Sequence, residues 1–282
     1  MKYCVDVPNF GVWSNPRRFA TFAKQVEDAG WDGISVWDHI LVWDGAEVAD
    51  PWVLLSAAAM STDKIRLMSM VTPIPRRHPW KLSRECVSVD LLSNGRLILG
   101  VGIGWPTDPE FTRFDGETDL RNRANMLDEG LEILTGLWTG KPFEFHGDHY
   151  DLERVTFLPR PAQQPRIPIW VAAMWPRRRP VRRAAQWDGL APIIFNIEKD
   201  EVSPPTTDLI GEISAYVGAH RTSTDPFDLA VAGGHRPGED LTEWHAELAH
   251  AGATWWRDSW IPEMGIEHEA WMADVLEGPP VR

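Results

Sequence analysis

The stretch "GRLILGVGIGW", Gly95 to Trp105, decides how the chain is read. It looks like a glycine-rich nucleotide loop. A dinucleotide fingerprint, G-x-G-x-x-G, has to open a helix directly after a strand. Here the glycines fall at 100, 102 and 104, and Trp105 stands where the last one belongs. Pro106 and Pro109 follow and keep a helix from starting at once. The period is instead two. Leu97, Leu99, Val101 and Ile103 share one face of a strand, and Ile98, Gly100, Gly102 and Gly104 share the other. A strand stripped of side chains on one face marks close approach by a ligand or by a neighbouring element. Both readings stand at this point.

Outward from this strand the chain alternates. Strands are expected at 3–7, 33–37, 65–71, 168–173, 189–194, 227–232 and 253–260. Asn15-Pro16 and Asp50-Pro51 read as helix caps followed by proline in the first turn. His78-Pro79 leads a third helix to about Leu92, and a long one starts near Leu120. Further helices are expected near 180–187, 206–220, 240–251 and 267–276. Strands alternating with helices imply parallel βαβ units, and eight units close into a (β/α)8 TIM barrel. A doubly wound open sheet is the rival architecture. The segment 141–165 breaks the alternation and reads as an inserted hairpin with a proline-rich loop. One domain over 1–282 is expected.

Net charge is −13, which disfavours nucleic acid as a partner. No apolar run is long enough for a membrane span, and "MKYCVDVPNF" has no secretory core, so a cytoplasmic protein is expected. Cys4 and Cys86 read as buried, reduced thiols. There is no H-E-x-x-H motif and no cysteine pair at ligand spacing, so no metal is expected. A G-x-S-x-G elbow is also lacking.

Active sites of such barrels lie at the C-terminal ends of the strands. That rule gathers Asp38 and His39, Ser69 to Thr72, Gly102, Gly104 and Trp105, and Ala172, Ala173 and Met174. Trp13, Trp37, Trp43, Trp105, Trp175 and Trp260 fall at the same rim, which suits an aromatic-walled pocket for a flat ligand. The run "PRRRPVRR" (176–183) is either a solvated face or an anion site.

Taken together, "VWDHI", "MVTPIPRRHP", "LSNGRLILGVGIGW", "RANMLDEGLEILTGLWTGKPFEFHGDHYDL" and "PIWVAAMWPRRRPVRRAAQWDGLAP" resemble the luciferase-like monooxygenases. That family includes flavin enzymes and enzymes of the deazaflavin coenzyme F-420. The resemblance implies a flavin-type ring at the barrel mouth. It implies His39 as acid/base, Asp38 beside it, and Trp43 as a pocket wall. A non-prolyl cis peptide under the ring would map to Ser69–Met70, with Val71 adjacent. Main-chain N–H groups of Ala172, Ala173 and Met174 would hold the cofactor phosphate, where many relatives have paired glycines. Arg123 would reach a phosphate or pair with Asp119 or Asp128. Trp105 stands where sugar-phosphate dehydrogenases of the family carry a glutamate, which argues against that substrate.

Two chemistries follow from the resemblance. Coenzyme F-420 would exchange hydride with a small organic substrate. Reduced FMN would instead react with oxygen, and would need a separate reductase. A homodimer is the expected assembly. Two other classes stay in view: a glycoside hydrolase using Asp38, Glu110 and Asp258, and a non-catalytic flavin-binding relative.

Overall fold

A computed structural model describes residues 1–107, 109–234, 238–260 and 267–280. The barrel strands are β1 (Lys2–Val7), β2 (Gly33–Val36), β3 (Arg66–Pro73) and β4 (Leu97–Gly102), then β7 (Ile169–Trp175), β8 (Gly189–Asn196), β10 (Asp228–Gly233) and β11 (Trp255–Ser259). Each pairs in parallel with the next, β8 pairs with β10, and β11 returns to β1. The ring is therefore closed at eight, and the open-sheet alternative is excluded. Its solvent layer is built by α1 (Pro16–Asp28), α2 (Pro51–Ser61), α3 (Pro79–Leu92), α5 (Leu120–Trp138), α6 (Arg178–Ala184), α7 (Thr207–His220), α8 (Thr242–His250) and α9 (His268–Val275).

Local chemistry sets the boundaries. Asn15 accepts from the N–H groups of Arg17 and Arg18, and Asp50 from those of Trp52 and Val53, so α1 and α2 begin as their caps dictate. Asn94 and Gly95 both adopt positive φ and turn α3 into β4. The 141–165 insertion contains an antiparallel hairpin, β5 (Phe143–His146) with β6 (Asp151–Val155). Two pieces were not foreseen. One is the short α4 (Pro109–Thr112), and the other is β9 (Glu201–Val202), which folds back antiparallel on β8.

Strand residues alternate between two cores. Leu97, Leu99 and Val101 join the large core under the helices, while Ile98 joins Cys4, Met68, Met70, Trp170 and Trp255 inside the barrel. Both cysteines are buried and unbridged, and burial raises both thiols above their ordinary range. They serve as small core residues. Among the described residues, no helix is long and apolar enough to cross a membrane.

The glycine face of β4 owes its shape to its neighbours. The β3–β4 register runs to Ser69 opposite Leu99 and resumes at Thr72 opposite Val101, one residue longer on β3. This bulge contains a cis peptide at Met70–Val71, one position beyond the expected Ser69–Met70. It drives the Ser69 carbonyl against Gly100, where any Cβ would overlap it. A Cβ at Gly102 would stand 2.9 Å from Val71, and one at Gly104 would strike the Phe111 ring. The bare face thus admits the β3 bulge and Phe111 first, and the ligand space lies beyond them.

Gly100→Ala is expected to destabilise the fold by about 2–3 kcal/mol, because a strand carbonyl cannot move aside. Gly211→Ala, in open space on α7, is expected to stabilise it by about 0.5–1 kcal/mol. Urea midpoints at constant slope measure both.

Candidate active site

A cavity of about 640 Å³ opens at the C-terminal ends of β2, β3, β4, β7 and β8. This is a size suited to a small-molecule site. One wall is Trp37, Asp38 and His39; the floor is Met70, Val71 and Pro73; β4 contributes Gly102 to Pro106. Ala172, Ala173 and Met174 line it from β7 and Ile193 from β8, and Leu120 to Asp128 of α5 close one side. The slot beside residues 102–104 is open.

His39 is held from both ends. Its backbone N–H donates to Asn9 Oδ1 (3.1 Å), and its carbonyl accepts from Asn9 Nδ2 (2.7 Å). Its ring Nδ1 meets Glu110 Oε1 at 3.2 Å. That oxygen also accepts the N–H groups of Ile40 (2.6 Å) and Leu41 (2.9 Å). A carboxylate so satisfied favours the tautomer with a proton on Nδ1 and a lone pair on Nε2. The His39 side chain is 34% exposed and Glu110's is fully buried, so the imidazole is presented and the carboxylate is hidden.

Beneath lies a buried ionic cluster. Arg76 pairs with Glu110 Oε2 and with Asp38 Oδ1, the latter at 2.5 Å, and donates to the Asp38 carbonyl at 2.7 Å. Arg77 Nη2 reaches both Asp38 oxygens at 2.9 Å, and Arg77 faces Glu85 at 3.5 Å. Burial opposes the charge on Arg77, and the facing Asp38 outweighs it, holding its pKa above the ordinary value. A second buried knot fixes Trp37. Asp6 accepts from Trp37 Nε1 (3.1 Å), Arg257 Nη1 (3.1 Å), Ser259 Oγ (2.8 Å) and the Ser35 hydroxyl.

Several expected placements change. Trp43 is 57% exposed, lies outside the cavity wall and packs edge-on against Phe10, so it is no pocket wall. Ser69 is buried outside the cavity and donates to the Gly100 carbonyl. Arg123 is buried too. It donates to the carbonyls of Glu117 and Trp105 and lies 3.4 Å over the Phe111 ring, bracing the rim loop rather than reaching a phosphate. Asp119 caps α5, and Asp128 pairs with Arg183. Ala172, Ala173 and Met174 are strand residues paired with β8, and the helix start lies at Arg178. Helix-start amides are therefore not theirs. Of the two alanines, Ala173 also packs into the outer core, and Ala172 sits across from Gly102. Asp38 lines the cavity as an ion-pair partner, not as an available carboxylate.

The rim tryptophans divide. Trp37 and Trp105 line the cavity. Trp13 and Trp175 are core residues, and Trp260 packs on His268. The hydrolase reading loses its acids. Asp38 and Glu110 share one arginine, and Asp258 accepts from Trp256 and Trp271 among the outer helices.

The arginine run faces the cavity. Arg177, Arg178, Arg179 and Arg183 line it, with Arg121 across on α5. Arg178 lies over Trp175, at 3.8 Å, and Tyr216. Arg121, Arg177 and Arg179 have no side-chain partner among the described residues, at the first turns of α5 and α6. Among the described residues, no group of three or more His, Cys, Asp or Glu is placed for a metal ion.

Sequence reading missed Arg76 and Arg77, Asp6, Asn9 and the role of Glu110. The signals were present: paired arginines between prolines just after a barrel strand, and an aspartate at an inward position of an apolar strand.

A family model described as luciferase-like monooxygenase matches residues 7–203. An F420-dependent glucose-6-phosphate dehydrogenase of Amycolatopsis mediterranei is 32% identical over 62% of this chain and 51% of its own length. The oxygenase component of a flavin-dependent trigonelline monooxygenase from Acinetobacter baylyi is 33% identical over 45% of this chain and 35% of its own. The chain spans about half the length, or less, of the curated relatives it matches. Among solved structures, the coenzyme F420-dependent tetrahydromethanopterin reductase of Methanopyrus kandleri superposes with a TM-score of 0.72 at 16% identity, covering 98% of this chain and 97% of that one. A Streptomyces bottropensis monooxygenase gives 0.69 at 23% identity, covering 89% of this chain and 76% of its own. At such identities these two show the fold.

Arg76→Met leaves Glu110 and Asp38 without their shared cation. It is expected to cost about 3–5 kcal/mol, as removal of one member of a buried ion pair does. Chemical denaturation followed by tryptophan emission measures it.

Proposed function

We propose, from the premise that the chain belongs to the luciferase-like monooxygenase family, that it is an oxidoreductase passing hydride between coenzyme F-420 and a small organic substrate. The observation that carries this reading is the union, in one cavity, of a fixed histidine, a flat floor and a cationic rim. The cavity's size and mostly apolar walls suit a planar ring. Met70, Val71 and Gly102 would support it. Arg121, Arg177 and Arg179 would hold its anionic tail, with the N-terminus of α6 adding favourable backbone charge. Three unpartnered guanidiniums exceed what one phosphate needs, which favours the multiply acidic tail of coenzyme F-420 over FMN.

When bound, the deazaflavin ring supplies a carbon that takes or gives hydride. The chain supplies the proton route. Glu110 engages Nδ1 of His39, so Nε2 is the atom that takes or returns the substrate proton. Arg76 pairs with Glu110 and holds it in place, which would support an imidazolium formed during transfer. Asn9 fixes the main chain of His39, so the ring turns only about its own side-chain bonds.

A second reading is FMN-dependent oxygenation, with reduced flavin delivered by a separate reductase. Similarity to the Acinetobacter oxygenase component favours it. In either case the protein is read as working in the cytoplasm and as a homodimer, an assembly that light scattering tests.

Titration with coenzyme F-420 and with FMN, read by tryptophan quenching, separates the readings. Tighter F-420 binding that weakens in salt and in Arg177→Ser/Arg179→Ser is expected; FMN preference supports the second reading, and binding of neither overturns both. His39→Ala is expected to lower kcat about 10²–10⁴-fold while leaving cofactor affinity intact. Unchanged turnover removes His39 as acid/base, and bound cofactor with no turnover in the unaltered protein points to a non-catalytic relative.

A further inference from the structure

Two neighbouring side chains leave α4 in different directions. On an α-helix consecutive residues point about 100° apart. Glu110 turns toward the loop after β2, where its carboxylate meets His39 Nδ1 and accepts from the N–H groups of Ile40 and Leu41. Phe111 turns toward α5 and is fully buried. Its niche fits a ring closely. An added Cβ would come within 2.4 Å of that ring at Gly104 and within 3.1 Å at Gly116. The Gly116 N–H also donates to the Phe111 carbonyl at 2.9 Å.

The guanidinium of Arg123 covers the ring, 3.4 Å from its centre. Arg123 is buried on α5 and takes no part in the cavity wall. Its Nε donates to the Glu117 carbonyl at 2.6 Å, and its Nη1 to the Trp105 carbonyl at 3.0 Å. Trp105 and Glu117 stand on either side of α4 in the chain. One side chain therefore ties both flanks of α4 and holds down the ring between them. A cation over an aromatic face is attracted more strongly when it is withdrawn from water. The planar guanidinium has donors that diverge to two carbonyls while its face stays on the ring, which the single point charge of a lysine cannot match.

We infer that Arg123 is a positioning residue for His39, acting through Phe111 and the backbone of α4 to hold Glu110 against Nδ1. Phe111 fixes the rotation of α4, and that rotation fixes where the Glu110 carboxylate stands. The Glu110–Nδ1 contact is 3.2 Å, at the long end for such a bond, so a small rotation is enough to lose it. Arg76 holds the other carboxylate oxygen. A loosened α4 keeps that charge-assisted pair and gives up the imidazole. The histidine then loses the partner that sets its tautomer. The value of this support for proton transfer rests on the reading of His39 as the acid/base.

The test is NMR of the ring nitrogens in protein carrying isotope-labelled histidine, without cofactor or substrate. It is run at about pH 8.5, where an ordinary imidazole is neutral. His39→Gln identifies the His39 signals. In the unaltered protein His39 is expected to carry its proton on Nδ1. Arg123→Lys and the milder Phe111→Leu are each expected to lower the share of that tautomer at least about twofold. Arg96→Lys is the control for general loss of stability. Arg96 is buried and donates to the carbonyls of Ala59, Thr62, Ile65 and Ser93 at the opposite end of β4, so its replacement is expected to leave the His39 tautomer unchanged. Folding of each variant is checked by near-ultraviolet circular dichroism. If Arg123→Lys does not fold, Phe111→Leu decides alone. Folded variants with an unaltered tautomer, an equal change in Arg96→Lys, or a proton on Nε2 in the unaltered protein overturn the assignment. None of these outcomes depends on whether coenzyme F-420 binds, and turnover of His39→Ala tests the acid/base reading separately.

Discussion

A single guanidinium, that of Arg76, joins the two buried carboxylates on which the mouth of the barrel is organised. Three charges withdrawn from water are costly unless each is met by partners at hydrogen-bond distance. Here they are met. Glu110 is shared among Arg76, two backbone N–H groups and His39, and Asp38 between Arg76 and Arg77. The cluster links the loop after β2, the turn after β3 and the short helix after β4. Three separate crossovers are thereby fixed relative to one imidazole, which is the preorganisation that proton transfer requires.

The floor of the site depends on a second constraint, that backbone can occupy the space a side chain would take. Gly100 lacks a Cβ because the bulged Ser69 carbonyl stands there, and the bulge in turn brings Met70 and Val71 to the cavity. Gly104 gives room to Phe111, over which Arg123 lies to brace the rim at Trp105. The two ends of the cavity then differ by how their charges are spent. Near β2 they are neutralised by one another, and near β7 they are directed at the opening. That asymmetry would suit a ligand with one uncharged end and one anionic end.

The barrel was legible in the sequence because its rules are local. Caps at Asn15 and Asp50, the Asn94-Gly95 turn and the two-residue period of β4 each act over a few residues. The site was legible where a residue's strand position alone determined its place, as for His39, Gly102 and Met174. It was misjudged where placement depends on contacts across loops. Trp43 lies on a long loop whose direction is set by Phe10, and one extra residue in β3 moved the cis peptide from Ser69–Met70 to Met70–Val71. Arg123 sits on an inward face of α5 that the spacing did not distinguish from the rim, and Arg76 gains its role only when β2, β3 and α4 come together.

A crystal structure of the protein with coenzyme F-420 bound tests the account most directly. The account requires the ring over Met70–Val71 and Gly102 with His39 facing it, the tail on Arg121, Arg177 and Arg179, and the Arg76 pairs intact. A ring lodged elsewhere, or a tail directed away from those arginines, would contradict it.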